Sequence, residues 1–518
     1  MAIIDFFDRG WRNHPDATAY VGGGRSWTFT EAGKLSCRVS HALLRSGLAR
    51  ESKAGVLSPN DPVAWICVLG IWRAGLAWVP LNPGVPASDL QGVIDGFDCE
   101  VLFYHPSMAG KVAELAPRLP KVKHYVCLED DASEAPSLAD WTAGLPDTPP
   151  DVHYDMDDVV AIASTGGTTG LPKGVMNTHR SFSVYLAHQM IALQYRADEH
   201  IVDLAALPMT HASGIFSLTT TARGGTVVVL PKGEPNAVLD AIERHRVTEL
   251  FLAPTVIYRL METPGIERRD LSSLRYLVYG AAPMSTGKLR RAIELFGPVL
   301  TEGYGQVEAF AGISFMRPEE HFADGQVAPD SRLASCGRPN PLITVEIRDA
   351  DDRPAPAGQS GEICVRGDLV MKGYYKAPEK TAETVVDGWL HTGDIGHLDR
   401  DGYLFITDRK KDMIISGGLN VYPSEIEQVI WSHPAVQDCA VIGVPHEDWG
   451  EAVTAVVELN PGSQVGGDEL IALCKERLGS VRSPKRVEFV DTLPRSANGK
   501  VLKRTIRERY WADRARQI

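Results

Sequence analysis

Short apolar runs and helical stretches take turns from residue 54 onward, and this alternation limits the fold more than any other feature of the chain. Residues 54–58 read as a strand, 62–73 as a helix and 76–81 as a strand; 101–104, 108–115 and 124–127 repeat the order. Strands separated by helices imply βαβ units and a mostly parallel sheet. A turn-rich break at 146–150, carrying Pro146, Asp147, Pro149 and Pro150, closes this stretch. A second α/β stretch follows, with runs at 159–163, 201–207, 226–230, 248–252 and 276–279 that have the uninterrupted apolar character of buried strands. Beyond about Arg332, the runs 345–348, 362–366 and 403–406 are separated by Gly- and Pro-rich turns, which predicts a small β unit. After Lys411 the pattern becomes α+β, with helices at 423–430 and 469–478 and strands at 439–443 and 453–459. The expected architecture is therefore α/β. A large N-terminal domain, 1–410, holds two α/β subdomains (about 1–155 and 156–330) and a β-barrel-like unit (331–410). A small mobile α+β domain, 411–518, completes it.

Composition narrows the partners. At ~150 residues per domain, 518 residues make three or four packing units. Hydrophobic residues at 44% and charged residues at 23% exclude collagen, coiled coil and wholesale disorder. The formal net charge of −13 argues against nucleic acid or an anionic membrane surface as a partner, and leaves room for a local basic site that takes phosphates. Asp5 and Asp8 stand where an export signal would carry Lys or Arg. The longest apolar run, 63–72, is about half the ~20 residues of a membrane span. Cys37, Cys67, Cys99, Cys127, Cys336, Cys364, Cys439 and Cys474 are scattered singly, with no C-x-x-C pair. They read as packing cysteines of a cytoplasmic protein rather than as zinc ligands or a disulfide framework.

The segment richest in chemistry is Ser164, Thr165, Gly166, Gly167, Thr168, Thr169, Gly170, Leu171, Pro172, Lys173 and Gly174, directly after the 159–163 run. Its glycines allow close backbone approach. Its hydroxyls and backbone N–H groups can donate to phosphate oxygens, and Lys173 adds a point charge. It is not a Walker loop, because Lys173 lies between Pro172 and Gly174 and the required Gly-Lys-Ser/Thr is missing. The dinucleotide fingerprint G-x-G-x-x-G is absent from it as well.

This segment resembles the phosphate loop of the adenylate-forming superfamily of acyl- and aryl-CoA synthetases, peptide-synthetase adenylation domains and luciferases. Further motifs follow in that family's order, from about Trp27 to Arg504. In Tyr304-Gly305-Gln306-Val307-Glu308, the resemblance implies that Tyr304 stacks on adenine and that Glu308 helps hold Mg²⁺, for which a hard carboxylate oxygen is suited. The family usually has Thr at the position of Val307, where the hydroxyl touches the α-phosphate; its loss costs ~1 kcal/mol. Gly280, Ala281, Ala282 and Pro283 resemble the adenine-side wall. Asp394, in Gly388-Trp389-Leu390-His391-Thr392-Gly393-Asp394, resembles the ribose ligand, and Arg409 the second one. Lys411 matches the hinge about which the C-terminal domain turns, since a few residues at an element end absorb such a rotation. Gly417 and Gly418 resemble the loop used in thioester formation. Lys500, in Pro494-Arg495-Ser496-Ala497-Asn498-Gly499-Lys500, resembles the mobile lysine that meets the substrate carboxylate and α-phosphate.

The resemblance implies an AMP-forming acyl-CoA synthetase with ATP, Mg²⁺ and coenzyme A, in which Lys500, Lys173 and Glu308 carry the chemistry. The alternative is a stand-alone adenylation enzyme that loads the phosphopantetheine of a carrier protein in trans. His211 sits where amino-acid-activating relatives carry an Asp, which argues against an α-amino acid substrate. His211, Ser213, Gly214, Phe216, Ala309 and Phe310 are the expected acyl pocket, with fatty, aryl and alicyclic acids all open. Monomer and homodimer are both open.

Overall fold

The structure is a computed structural model that describes residues 1–129, 135–165, 173–210, 212–416, 419–446, 449–480, 482–495 and 501–511. Two twisted sheets, a β unit and a C-terminal α+β unit make up the molecule. The first sheet has seven strands in the order Gly373–Tyr374, Lys173–Thr178, Val159–Thr165, Ala77–Leu81, Lys53–Leu57, Cys99–Tyr104 and His124–Cys127. Its central pairings are parallel, as the strand–helix alternation requires.

The second sheet has nine strands, in the order Arg338–Pro339, Ala309–Met316, Leu300–Gln306, Tyr276–Gly280, Glu249–Leu252, Val202–Ala205, Thr226–Val229, Thr18–Gly22 and Arg25–Thr28. Neither large sheet is one continuous piece of chain. The hairpin Thr18–Gly22/Arg25–Thr28 crosses to the second sheet, pairing in parallel with Thr226–Val229. Val159–Thr165 and Lys173–Thr178 extend the first. That hairpin turns at Gly23 and Gly24, with φ of 60° and 75°, which the hairpin-compatible turn demands. Thr28 then starts the helix Phe29–Arg45 through a capping box with Glu31.

Helix Pro62–Arg73 is apolar all round and buried, where a surface helix would show one polar face. Asp61 caps it, its carboxylate accepting from Val63 N at 2.7 Å and Ala64 N at 3.0 Å, and Pro62 fills the first turn. Trp65, Trp72 and Trp78 meet edge to face with centroids 5.6–5.9 Å apart, in the geometry their ring quadrupoles favour. The run ends at Arg73 without leaving the core. Its guanidinium, 2% exposed, forks onto Asp8 at 2.9 and 2.5 Å.

The β unit pairs Thr344–Arg348, Gly361–Arg366, Trp389–Leu398 and Val385–Val386 antiparallel, with Leu404–Arg409 on the far side of Trp389–Leu398. In the C-terminal unit, Val436–His446 and Gly450–Leu459 form a long antiparallel pair that carries helices Pro423–Trp431 and Gly467–Leu478. These strands run several residues past the expected 439–443 and 453–459. The expected helix at 108–115 is preceded by a 3₁₀ turn at Pro106–Met108 and is α-helical over Ala109–Leu115. All eight cysteines are buried thiols. Among the described residues, no helix is long and apolar enough to cross a membrane.

Candidate functional site

In open α/β sheets ligands gather at the carboxyl ends of parallel strands, and Ser164, Thr165, Gly280 and Tyr304 lie at or near such ends. Val159–Thr165 leads into Lys173–Thr178 as an antiparallel pair, with Thr165 opposite Lys173 and Ser164 opposite Gly174. Gly166, Gly167, Thr168, Thr169 and Gly170 lie outside the described residues.

Lys173 and Glu308 meet through a third residue. The Lys173 ammonium stands 4.6 Å from the centroid of the Tyr374 ring. The Tyr374 hydroxyl donates to Glu308 Oε1 at 2.8 Å. Tyr374 is fixed in register opposite Val175, and its backbone N–H donates to Thr381 Oγ1 at 2.9 Å. Burial and the Glu308 charge both push the phenol upward, so it remains a donor. No sequence signal marks Tyr374, whose strand is two residues long and carries no motif. Only the pairing with Lys173–Thr178 places it.

Tyr304, Asp394 and Arg409 form the second cluster. The Tyr304 hydroxyl donates to Asp394 Oδ2 at 2.8 Å, and Arg409 Nε lies 3.4 Å from Oδ1. Asp394 and Arg409 are direct cross-strand partners, which is why residues 15 apart in sequence share one carboxylate. Tyr304 and Asp394 are both buried, at 8% and 6% exposure, so each needs its partner. Burial, then the neighbouring Asp394 charge, raises the Tyr304 phenol well above its ordinary value. Asp394 N donates to Thr392 Oγ1 at 3.1 Å, and Gln306 Nε2 donates to the Thr392 carbonyl at 3.3 Å.

Glu362, also unmarked by any motif, braces this turn. It accepts from Gly393 N at 3.0 Å and from Lys410 Nζ at 3.1 Å. Burial would raise its carboxyl, but hydrogen bonds from Lys410 and His391 outweigh it and hold the group below the usual range.

Gly280 ends its strand beside Gly303, where a Cβ would come within 2.4 Å of the Gly303 carbonyl. Ala281 follows in the left-handed region at φ 67°. A non-glycine residue held there stores ~1–2 kcal/mol of strain, a frequent mark of binding sites. Ala282 and Pro283 continue this exposed turn to Ser285, which caps helix Thr286–Phe296. Gly305 lies in the strand with Tyr304.

Among the expected acyl-pocket residues, His211 lies outside the described residues. Ser213, Gly214 and Phe216 are buried in helix Ala212–Ala222. A Cβ on Gly214 would strike the Met209 carbonyl at 2.2 Å and the Trp65 ring at 2.4 Å, so this glycine lets the helix approach its neighbours. Phe216 packs in a cluster with Leu193, Tyr276 and Val278, whereas Phe310 contacts Phe182 and Tyr185 at 4.7 and 4.9 Å, with Ala309 in the same core. Lys411 sits in the turn between Leu404–Arg409 of the β unit and Ile414–Ser416 of the C-terminal sheet. Gly417, Gly418 and Lys500 lie outside the described residues.

Comparison with known proteins identifies the family. The AMP-binding enzyme family matches residues 7–375, and the AMP-binding enzyme C-terminal domain matches 425–500. A feruloyl-CoA synthase from an Amycolatopsis species is 37% identical over 96% of this chain and 97% of its own length. The medium/long-chain-fatty-acid–CoA ligase FadD8 of Mycobacterium tuberculosis is 39% identical over 94% of this chain and 86% of its own. The solved amide bond synthetase McbA of Marinactinospora thermotolerans superposes with a TM-score of 0.89 at 33% identity, covering 98% of this chain and all of that one. The chain belongs to the AMP-binding enzyme family, and is an AMP-forming acid–thiol ligase with the two-part architecture of the adenylate-forming enzymes.

Proposed function

We propose that this ligase activates a carboxylic acid other than an α-amino acid with ATP, releasing pyrophosphate, and passes the acyl group to coenzyme A, releasing AMP. The observation that carries the reading is the convergence of Tyr304 and Arg409 on the Asp394 carboxylate, with Lys173 and Glu308 gathered on Tyr374. An aromatic face suits a purine, and a carboxylate can accept the two ribose hydroxyls. A cation and N–H groups suit a triphosphate.

The chemistry asks for positioning more than for acid–base groups. A carboxylate is already ionised at neutral pH and attacks the α-phosphorus in line as the bond to pyrophosphate breaks. Charge accumulates on phosphoryl oxygens, where Lys173 and Lys500 stabilise it. Glu308 offers the hard oxygen that Mg²⁺ prefers, and its Oε2 has no hydrogen-bond partner among the described residues. Mg²⁺ held there would neutralise phosphate charge. A thiolate then attacks the acyl carbonyl and expels AMP, after the C-terminal domain turns about Lys411.

The feruloyl-CoA and fatty-acid–CoA relatives support an aryl or aliphatic acid and coenzyme A as the thiol. The test is pyrophosphate release over carboxylic acids graded in length and ring content, followed by thioester formation with coenzyme A against a panel of holo carrier proteins. Acid-dependent pyrophosphate release with coenzyme A consumed is the expected result. Turnover with a carrier and none with coenzyme A would overturn the choice of thiol.

A further inference from the structure

We infer that Tyr374 is a positioning residue that holds Lys173 and Glu308 apart and presents both to one nucleotide. This inference rests on the reading of Lys173 and Glu308 given above. Two flexible side chains of opposite charge converging on one site have an obvious alternative, which is to pair with each other. A direct ion pair would occupy the ammonium meant for phosphate and the carboxylate meant for a cation. Tyr374 removes that option by offering each charge a different part of one rigid ring. The π face takes the Lys173 ammonium at 4.6 Å, and the hydroxyl takes Glu308 Oε1 at 2.8 Å.

The ring cannot step aside. Tyr374 is 5% exposed, its backbone is pinned to the strand that starts at Lys173, and its N–H is held by Thr381. The Glu308 carbonyl accepts from Met371 N at 2.8 Å, three residues before Tyr374, so the carboxylate and the ring are tied through backbone as well. With Oε1 held, rotation of the carboxylate is restricted and Oε2 is left to face a cation.

Tyr374→Phe tests this, since it keeps the ring over Lys173 and deletes only the hydroxyl. With Mn²⁺ as the probe for Mg²⁺, and a non-hydrolysable ATP analogue bound, metal affinity read by electron paramagnetic resonance should fall about tenfold. The KM for ATP should rise by a similar factor, while the KM for the acid stays unchanged. In a Glu308→Ala background the same substitution should add nothing, because the interaction it removes is already gone. Parental Mn²⁺ affinity in Tyr374→Phe, alongside its loss in Glu308→Ala, would overturn the inference and leave Tyr374 as packing. Unchanged metal and ATP binding in both Glu308→Ala and Lys173→Ala would instead bring down the reading of the site, and the inference with it.

Discussion

Tyr304 and Asp394 are 90 residues apart in the chain and 2.8 Å apart in the fold, joined by a hydrogen bond from phenol to carboxylate that neither sheet could make alone. Tyr304 comes from the second large sheet and Asp394 from the β unit, so the bond fixes the seam where the nucleotide is proposed to lie.

Asp394→Asn should raise the KM for ATP about tenfold or more, because a charged acceptor for hydroxyls becomes a neutral one, while the KM for the acid is little changed. ATP–pyrophosphate exchange at varied ATP and varied acid separates the two constants. A rise confined to the acid would contradict the ribose role.

Lys500→Ala should slow adenylate formation by ~10²-fold, the usual cost of one donor removed from a developing charge. Thioester formation from supplied acyl-adenylate should stay within a few-fold of the parent rate. Rapid-quench assays of each half-reaction decide it, and equal loss in both would show that Lys500 does not belong to the first step.

Arg73→Met should destabilise the fold by ~3–5 kcal/mol, since it leaves Asp8 partly buried without its cation. Urea unfolding should show an early transition, and Asp8→Asn should reproduce much of it. A transition unmoved by both substitutions would mean that this fork carries no weight.

Glu302 supplies a pH dependence. Its Oε2 accepts from Tyr279 at 3.0 Å, and burial pushes its carboxyl up to about 8. A carboxyl raised on folding contributes stability that is full below its unfolded value and is lost as pH rises through about 8. The parent should lose stability between roughly pH 5 and 8 relative to Glu302→Gln, with a slope of up to ~1.4 kcal/mol per pH unit. Melting temperatures of both proteins across that range, compared at each pH, check the sign. Parallel curves would remove the proposed proton.

The helix at Pro62–Arg73 was legible because its signals are local: a capping Asp61, a proline in the first turn, an apolar run and a glycine just beyond. The strand cores expected at 124–127 and 276–279 were legible as short apolar runs, and the strands are His124–Cys127 and Tyr276–Gly280. The hairpin Thr18–Gly22/Arg25–Thr28 and its capped helix carry equally local signals in the Gly-rich turn and in Thr28 with Glu31. Motif order singled out Tyr304, Asp394 and Arg409, and the fold brings these three side chains into contact. The contacts of Tyr374 and Glu362 with these segments were not legible, because each reaches a residue that its own neighbours in sequence do not reveal.

What the sequence determined by itself is the longer helices, the buried strand cores and the kind of chemistry, because periodicity, capping and motif composition are read within about a dozen residues. What only the tertiary structure decided is which groups meet: Lys173 with Glu308 through Tyr374, Tyr304 with Asp394, and Arg73 with Asp8. The first two depend on strand register and on sheets assembled from distant pieces of chain, and a one-residue slip in pairing would turn Tyr374, Tyr304 or Asp394 to the opposite face. The third joins two helices, Ile4–Asn13 and Pro62–Arg73, and depends on how they pack.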